Sequence, residues 1–306
     1  WSMMSNNVIR AEGHPRIAMI LMIVPAVINL FLDPLFIVAF DWGLEGAAWA
    51  TTISYVGSAL FTLIHFKSKR SQLVINRKYC IIKPALVREI SSLGAVTLAR
   101  QGVISVLATV LNNSLFYYGG EAGLSTYGII NRVMMFAYFP VLGITQGFIP
   151  IVGYNFGAKN KLRVNKIVRI SIFWATGLAM SIFVLLMVFA SEIAGFFTTD
   201  QWLIEETAPA FRTVFLATPL LSVSLIISAY FQAIGKALPA LLLALTKQGF
   251  FLIPLVIILP IYIGIEGIWM AFPIADLGAA LVSYIYYKVK KVKYPDGSIA
   301  INPDIL

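Results

Sequence analysis

Long apolar runs follow one another along the chain, each broken by a short cluster of Gly, Pro, Asn or charged residues. Eight runs reach spanning length, at roughly 17–40, 44–66, 90–117, 124–152, 167–190, 207–234, 238–262 and 266–287. A helix rising about 1.5 Å per residue needs some 20 residues to cross about 30 Å of hydrocarbon, and each run meets that length. The breaks carry residues that end helices where the chain can meet water: Asp41-Trp42-Gly43, Tyr118-Gly119-Gly120-Glu121, and Asn155 to Asn160. The pattern predicts an all-α integral membrane protein with eight transmembrane helices.

A direct repeat changes that picture. RAEG at Arg10–Gly13 is echoed by QAIG at Gln232–Gly235, an offset of 222, and GLEGAAWA from Gly43 by GIEGIWMA from Gly264, an offset of 221. Internal repeats decide architecture before local signals do. Counted from residue 86, Gln232 lies 146 residues into its half, so about 136 residues are expected upstream of Trp1 to place Arg10 equivalently. That length holds about four further spans. The expectation is therefore eight helices present of twelve, in two parallel six-helix repeats, with this chain the C-terminal two-thirds. The corresponding domains are 1–66, the last two spans of an N-terminal lobe; 67–89, a cytoplasmic linker; 90–290, a C-terminal lobe; and 291–306, a cytoplasmic tail.

Composition agrees with a bilayer as solvent: 59% of residues are hydrophobic, 12% are charged and the mean hydropathy is +0.85. The net charge of +9 raises the question of nucleic acid, but the cations are distributed by topology. Alternate connections hold 19 of the 23 Lys and Arg residues, and the intervening ones hold Asp41, Glu45, Glu121, Glu192, Asp200, Glu205, Glu206 and Glu266 instead. By the positive-inside rule the basic connections and the C-terminus are cytoplasmic, and no nucleic-acid partner is expected. The single cysteine, Cys80, excludes an internal disulfide.

Six ionisable residues fall inside the spans: Asp33, Arg100, Arg132, Arg212, Lys247 and Asp276. Each costs about 2.5–3.5 kcal/mol on insertion scales and so needs a partner or a purpose. Arg212 lies near the outer end of its span and can reach towards water or Glu205 and Glu206. Arg132, and Arg100 with its neighbour Gln101, either face an aqueous cavity or tie helices together. Lys247 and Asp276 sit on neighbouring antiparallel spans at the same depth and are predicted to share a polar network, as an ion pair fixing the last two helices or as part of transport. Asp33 follows Asn29 by four residues, on the same helical face. Pro25 and Pro34 flank the pair and free carbonyls, and Thr51 and Thr52 on the next span can add a hydroxyl. These are hard oxygen donors suited to a small cation, with a proton as the alternative on the carboxylate; a protonated Asp capping a kinked helix is the other reading. Met134, Met135, Phe136, Tyr138 and Phe139 suit either a promiscuous cavity for organic cations or ordinary helix packing.

The segments RAEGHPR, INLFLDPLFI, WGLEGAAWATTIS and STYGIINRVMMFAYFPVLGITQGFIPIVGYNFGAKNKLRV, with TKQGFFLIPL and PIAD, together resemble the multidrug and toxic compound extrusion (MATE) family almost end to end. The resemblance implies an exporter of two lobes around a central cavity that opens alternately to either side. Protons or sodium drive it, and it expels amphipathic, often cationic drugs. One branch of that family binds its coupling cation with an Asn and an Asp four apart and a Thr on the next span; Asn29, Asp33 and Thr51 match that pattern. Its further acid, on the first span, falls upstream of Trp1. Another branch uses an acid where this chain has Arg100 and Gln101, a departure from the pattern.

Other classes fit less well. A membrane enzyme needs a catalytic cluster, yet His14 and His65 are the only histidines, and neither metal-ligand spacing nor a Walker-type phosphate loop is present. A flippase for lipid-linked sugars is the main alternative, favoured if Arg100, Arg132 and Lys247 line one lumen. The expected partners are small-molecule organic cations and the lipid bilayer, with no oligomer required. No cofactor is expected beyond a proton or sodium as coupling ion, the sodium at Asp33, and the expected location is the inner (plasma) membrane.

Overall fold

The computed structural model describes residues 2–68, 71 and 83–290. Cys80, most of the 67–89 linker and the 291–306 tail lie outside the described residues. The described chain is helical throughout: α1 Ser2–Ala11, α2 Pro15–Pro34, α3 Gly43–Lys67, α4 Pro84–Gly157, α5 Lys161–Val188, α6 Ala190–Gly195, α7 Gln201–Phe215, α8 Thr218–Ala233, α9 Ala237–Leu245, α10 Ile253–Ile263 and α11 Ile265–Lys290. Two π-helical segments, Leu35–Ala39 and Thr246–Leu252, continue α2 and join α9 to α10. The chain divides into two compact units, Trp1–Pro84 and Ala85–Leu306.

The expected eight transmembrane helices of a total of twelve must be corrected. Among the described residues six helices are long and apolar enough to cross a membrane, or seven if α7 and α8, bent by 44° at their junction, form one span. Two differences account for the count. The runs at 90–117 and 124–152 lie in the single element α4, because Tyr118-Gly119-Gly120-Glu121 makes no loop; only Gly120 leaves helical geometry, with φ 59° and ψ −152°. The run at 207–234 is divided between α7 and α8. The protein remains an all-α, multi-pass membrane protein.

The repeat acquires a physical meaning in the backbone. In the first copy Gly13 has φ 85°, and the amide of His14 donates to the carbonyl of Ile9 at 3.1 Å; in the second, Gly235 has φ 76° and Lys236 donates to Phe231 at 2.9 Å. Both are glycine C-caps, the left-handed residue closing the helix with a bond back over five residues. Beyond the turn at 41–43, α3 buries Gly46, Ala50, Ser54, Ser58 and Thr62, one residue per helical turn. At the 221-residue offset α11 buries Gly267, Ala271, Ala275, Ala279 and Ser283. Such a stripe of small residues lets helix backbones approach closely where lipid offers no hydrophobic drive for association. The approach is tightest at the leading glycine: a Cβ on Gly46 would lie 2.8 Å from the backbone of Phe36, and one on Gly267 2.6 Å from Leu259 C.

The first unit packs α2 on α3 around a small core of Ile9, Ala18 and Leu21. Much of its remaining apolar surface, such as Leu30, Phe31 and Leu44, is exposed, as a bilayer permits. The second unit is built around α8, ten of whose 16 residues are buried among α5, α9 and α11. Its interior has two apolar clusters, one centred on Phe211, Phe215, Ile268 and Phe272, the other on Phe148, Ile226, Tyr230 and Phe231.

Candidate functional site

Two polar constellations interrupt the apolar interior, one in each unit. In the first unit, prolines prepare the helix. Pro25 has no amide hydrogen to give the carbonyl of Leu21, and Ser58 on α3 donates its hydroxyl there instead, at 3.3 Å. Pro34 ends the regular helix, and the following π-helical turn closes with Phe40 N–H donating to Leu35 O at 3.0 Å. Asn29 and Asp33, one turn apart, meet between these breaks: the Asn29 amide donates to Asp33 Oδ1 at 3.0 Å and approaches Thr51 Oγ1 at 3.5 Å. The Thr51 hydroxyl itself donates to Ala47 O at 2.9 Å, and that of Thr52 to Ala48 O at 2.8 Å. Asn29 and Asp33 are half-buried and Thr51 is exposed. The Asn29 amide nitrogen thus bridges a carboxylate oxygen on its own helix and a hydroxyl oxygen on the antiparallel neighbour.

In the second unit, Lys247 lies in the π-helical segment and Asp276 on α11, with the ammonium 2.6 Å from Asp276 Oδ1. The same ammonium donates to the hydroxyl of Tyr138 on α4 and lies 5.1 Å from the centre of its ring. The three form a polar waist between the apolar clusters. Tyr138 falls between Ala137 of one and Val141 of the other, and Lys247 between Leu243 and Leu252. Beside them opens a small cleft, lined also by Met134, Phe215, Thr218 and Phe272. Burying either charge alone is costly, so the pair and the tyrosine must be considered together.

The remaining sequence candidates are distributed differently. Arg100, Gln101 and Arg132 are exposed on α4 and are not part of the Lys247 network. Of the five proposed cavity residues, Met134 and Tyr138 line the cleft, whereas Met135, Phe136 and Phe139 are more than half exposed on the other side of α4. Arg212 donates to the carbonyl of Met187 at 3.3 Å. Sequence reasoning did not connect Tyr138 to Lys247, and no local pattern could have, since 109 residues separate them. It also missed a buried cluster at the start of the chain, where His65 Nε2 approaches Glu12 Oε2 at 3.6 Å, the rings of His14 and His65 are 6.0 Å apart, and Ser71 donates to Glu12 at 2.7 Å. Among the described residues no group of three or more His, Cys, Asp or Glu side chains is placed to hold a metal ion.

Comparison with known proteins gives these sites a family. The chain is 30% identical over 287 residues to the multidrug export protein MepA of Staphylococcus aureus strain NCTC 8325, covering 90% of this chain and 61% of that protein. With MepA of Staphylococcus haemolyticus it shares 29% over 285 residues, 92% of this chain and 62% of that one. The chain therefore spans less than two-thirds of the length of these relatives. Among solved structures it resembles the outward-facing conformation of a multidrug resistance MATE family transporter of the MOP superfamily, with TM-score 0.86 and 25% identity, covering 94% of this chain and 64% of that one. A MOP superfamily transporter from Pyrococcus furiosus, described as having a binding pocket of reverse polarity, matches with TM-score 0.86 and 25% identity over 94% of this chain and 65% of its own. The MatE family model matches residues 95–258, more than half of the sequence, and the chain belongs to the MatE family.

Proposed function

We propose that the protein exports amphipathic organic cations by alternating access, coupled to inward movement of a proton or sodium ion at Asn29, Asp33 and Thr51. The observation that carries this reading is the hydrogen-bonded cluster itself: a carboxylate, an amide and a hydroxyl converge on α2 and α3, beside two proline breaks. Ionisable groups in a membrane span mark ion pathways by default, and hard oxygen donors suit a proton or a small cation. The coupling ion is cargo here, bound on one side and released on the other. Export by relatives named multidrug export proteins supports the substrate class.

The topology that goes with this reading places residues 1–66 at the end of one lobe, 67–89 as the link and 90–290 as the second lobe. The basic connections and the 291–306 tail face the cytoplasm, in the inner (plasma) membrane. The protein then needs only the bilayer and its substrate as partners. The flippase alternative requires Arg100, Arg132 and Lys247 as a cationic lumen, and the ion pair of Lys247 with Asp276 neutralises one of the three. The test is transport by Asp33→Asn under a proton gradient and, separately, under a sodium gradient. Efflux driven by neither gradient in the variant, against efflux driven by one in the parent, supports the proposal; unchanged coupled efflux removes Asp33 from it.

A further inference from the structure

We propose that the cleft at the waist of the second unit is an ammonium-binding site, and that Lys247 is its tethered occupant, displaced when the ammonium group of an organic cation enters. The structure already shows what the cleft holds: a primary ammonium, 2.6 Å from Asp276 Oδ1 and 5.1 Å from the centre of the Tyr138 ring. The other walls include Phe215, Phe272 and Met134, with Val214, Thr218 and Leu221. One carboxylate, aromatic faces and a polarisable thioether are the chemistry that recognises an alkylammonium group with an apolar tail.

Two features make Lys247 exchangeable rather than fixed. Its side chain is 13% exposed against 7% for Asp276, so of two largely buried partners the lysine is the more accessible. It is also carried by a π-helical segment, Thr246–Leu252, whose wider turn is a frequent mark of functional sites, and its four-carbon stem is flexible. Exchange of one ammonium for another keeps Asp276 paired throughout. The lysine then acts as a built-in competitor, present at the high effective concentration of an intramolecular ligand.

The proposal extends the export reading by assigning a binding step to the second unit, and it is tested without any ion gradient. Phenethylammonium is titrated calorimetrically into the parent protein and into Lys247→Met, Lys247→Arg, Asp276→Asn and Lys247→Met/Asp276→Asn. With the competitor removed, Lys247→Met should bind at least about tenfold more tightly than the parent. Lys247→Arg, which keeps a tethered cation, should stay near the parent, and both Asp276 variants should lose binding. In the parent protein, labelling of Lys247 by trinitrobenzenesulfonate, read by peptide mass spectrometry, should rise severalfold when phenethylammonium is present. Binding to well-folded Lys247→Met that is no tighter than to the parent overturns the proposal. Should that variant not fold, unchanged labelling of Lys247 in the parent overturns it. Unchanged coupled efflux in Asp33→Asn, which would overturn the coupling proposal, leaves both readouts as they are, so the two proposals fail separately.

Discussion

Replacing Gly267 by alanine adds one carbon where α11 leaves the turn at Gly264 against α10. That carbon would lie 2.6 Å from the carbonyl carbon of Leu259 and 2.8 Å from both its oxygen and the nitrogen of Pro260. Carbon atoms pack comfortably at about 3.5–4.0 Å, so the helices must separate by roughly 1 Å. The obstruction is backbone, and no rotamer change relieves it. Overpacking of this kind costs about 1–3 kcal/mol. For a unit of about 220 residues each kcal/mol shifts Tm by some 2–4 °C, so a fall of roughly 2–12 °C is expected. Gly177→Ala is the control: it lies within α5 with nothing within 4 Å of the added carbon, and alanine there should be neutral or stabilising by up to about 1 kcal/mol. Tryptophan fluorescence during thermal unfolding in detergent measures both. A Gly267→Ala protein as stable as its parent, or one destabilised no more than Gly177→Ala, would refute the close-approach argument for this stripe.

Other substitutions probe the remaining elements. Lys247→Met strands the buried Asp276 carboxylate and should cost about 3–5 kcal/mol, whereas Lys247→Met/Asp276→Leu, which removes both charges, should recover most of that loss; thermal unfolding of the two variants compares them. Gly235→Ala puts a side chain at φ 76° and should cost about 1–2 kcal/mol, seen as a lower Tm. Ser58→Ala takes away the donor to the Leu21 carbonyl that Pro25 leaves without its helical partner, for a loss of about 1 kcal/mol in the same assay.

The sequence and the structure agree best where a rule of spacing applies. A spacing of four puts Asn29 and Asp33 on one face, and the antiparallel sense of the next span puts Thr51 within reach; the structure joins all three by contacts of 3.0 and 3.5 Å. Depth counting brought Lys247 and Asp276 to one level, and they are paired there. For Tyr138 the sequence offers cavity lining or ordinary helix packing and not the Lys247 contact, because a contact across 109 residues leaves no local signature. The span count failed for a related reason. Two adjacent glycines read as a loop at Gly119 and Gly120, but one residue of non-helical backbone suffices to redirect the chain while the flanking residues stay helical.

The repeat was legible only in part. GLEG and GIEG stand out as letters, yet the buried stripe continues for four turns beyond them with Ser54 and Ser58 exchanged for Ala275 and Ala279. Size is what the packing requires, and letter matching does not register size. The π-helical segments had no signal beyond Pro34 in the first unit and none at Thr246–Leu252 in the second. What differs between the copies is the polar chemistry: the first carries Asn29 and Asp33 on α2, and the second carries a cation, Lys247, with its acid displaced to α11.

The coupling site proposed in the first unit is tested most directly by one measurement. The parent protein and Asp33→Asn are reconstituted in lipid vesicles, and movement of a fluorescent organic cation is followed after a proton or sodium gradient is imposed, with far-UV circular dichroism to show that the variant is folded. Gradient-driven transport in the parent and none above the no-gradient rate in Asp33→Asn is the predicted result. Equal gradient-driven rates in the two proteins would contradict the account.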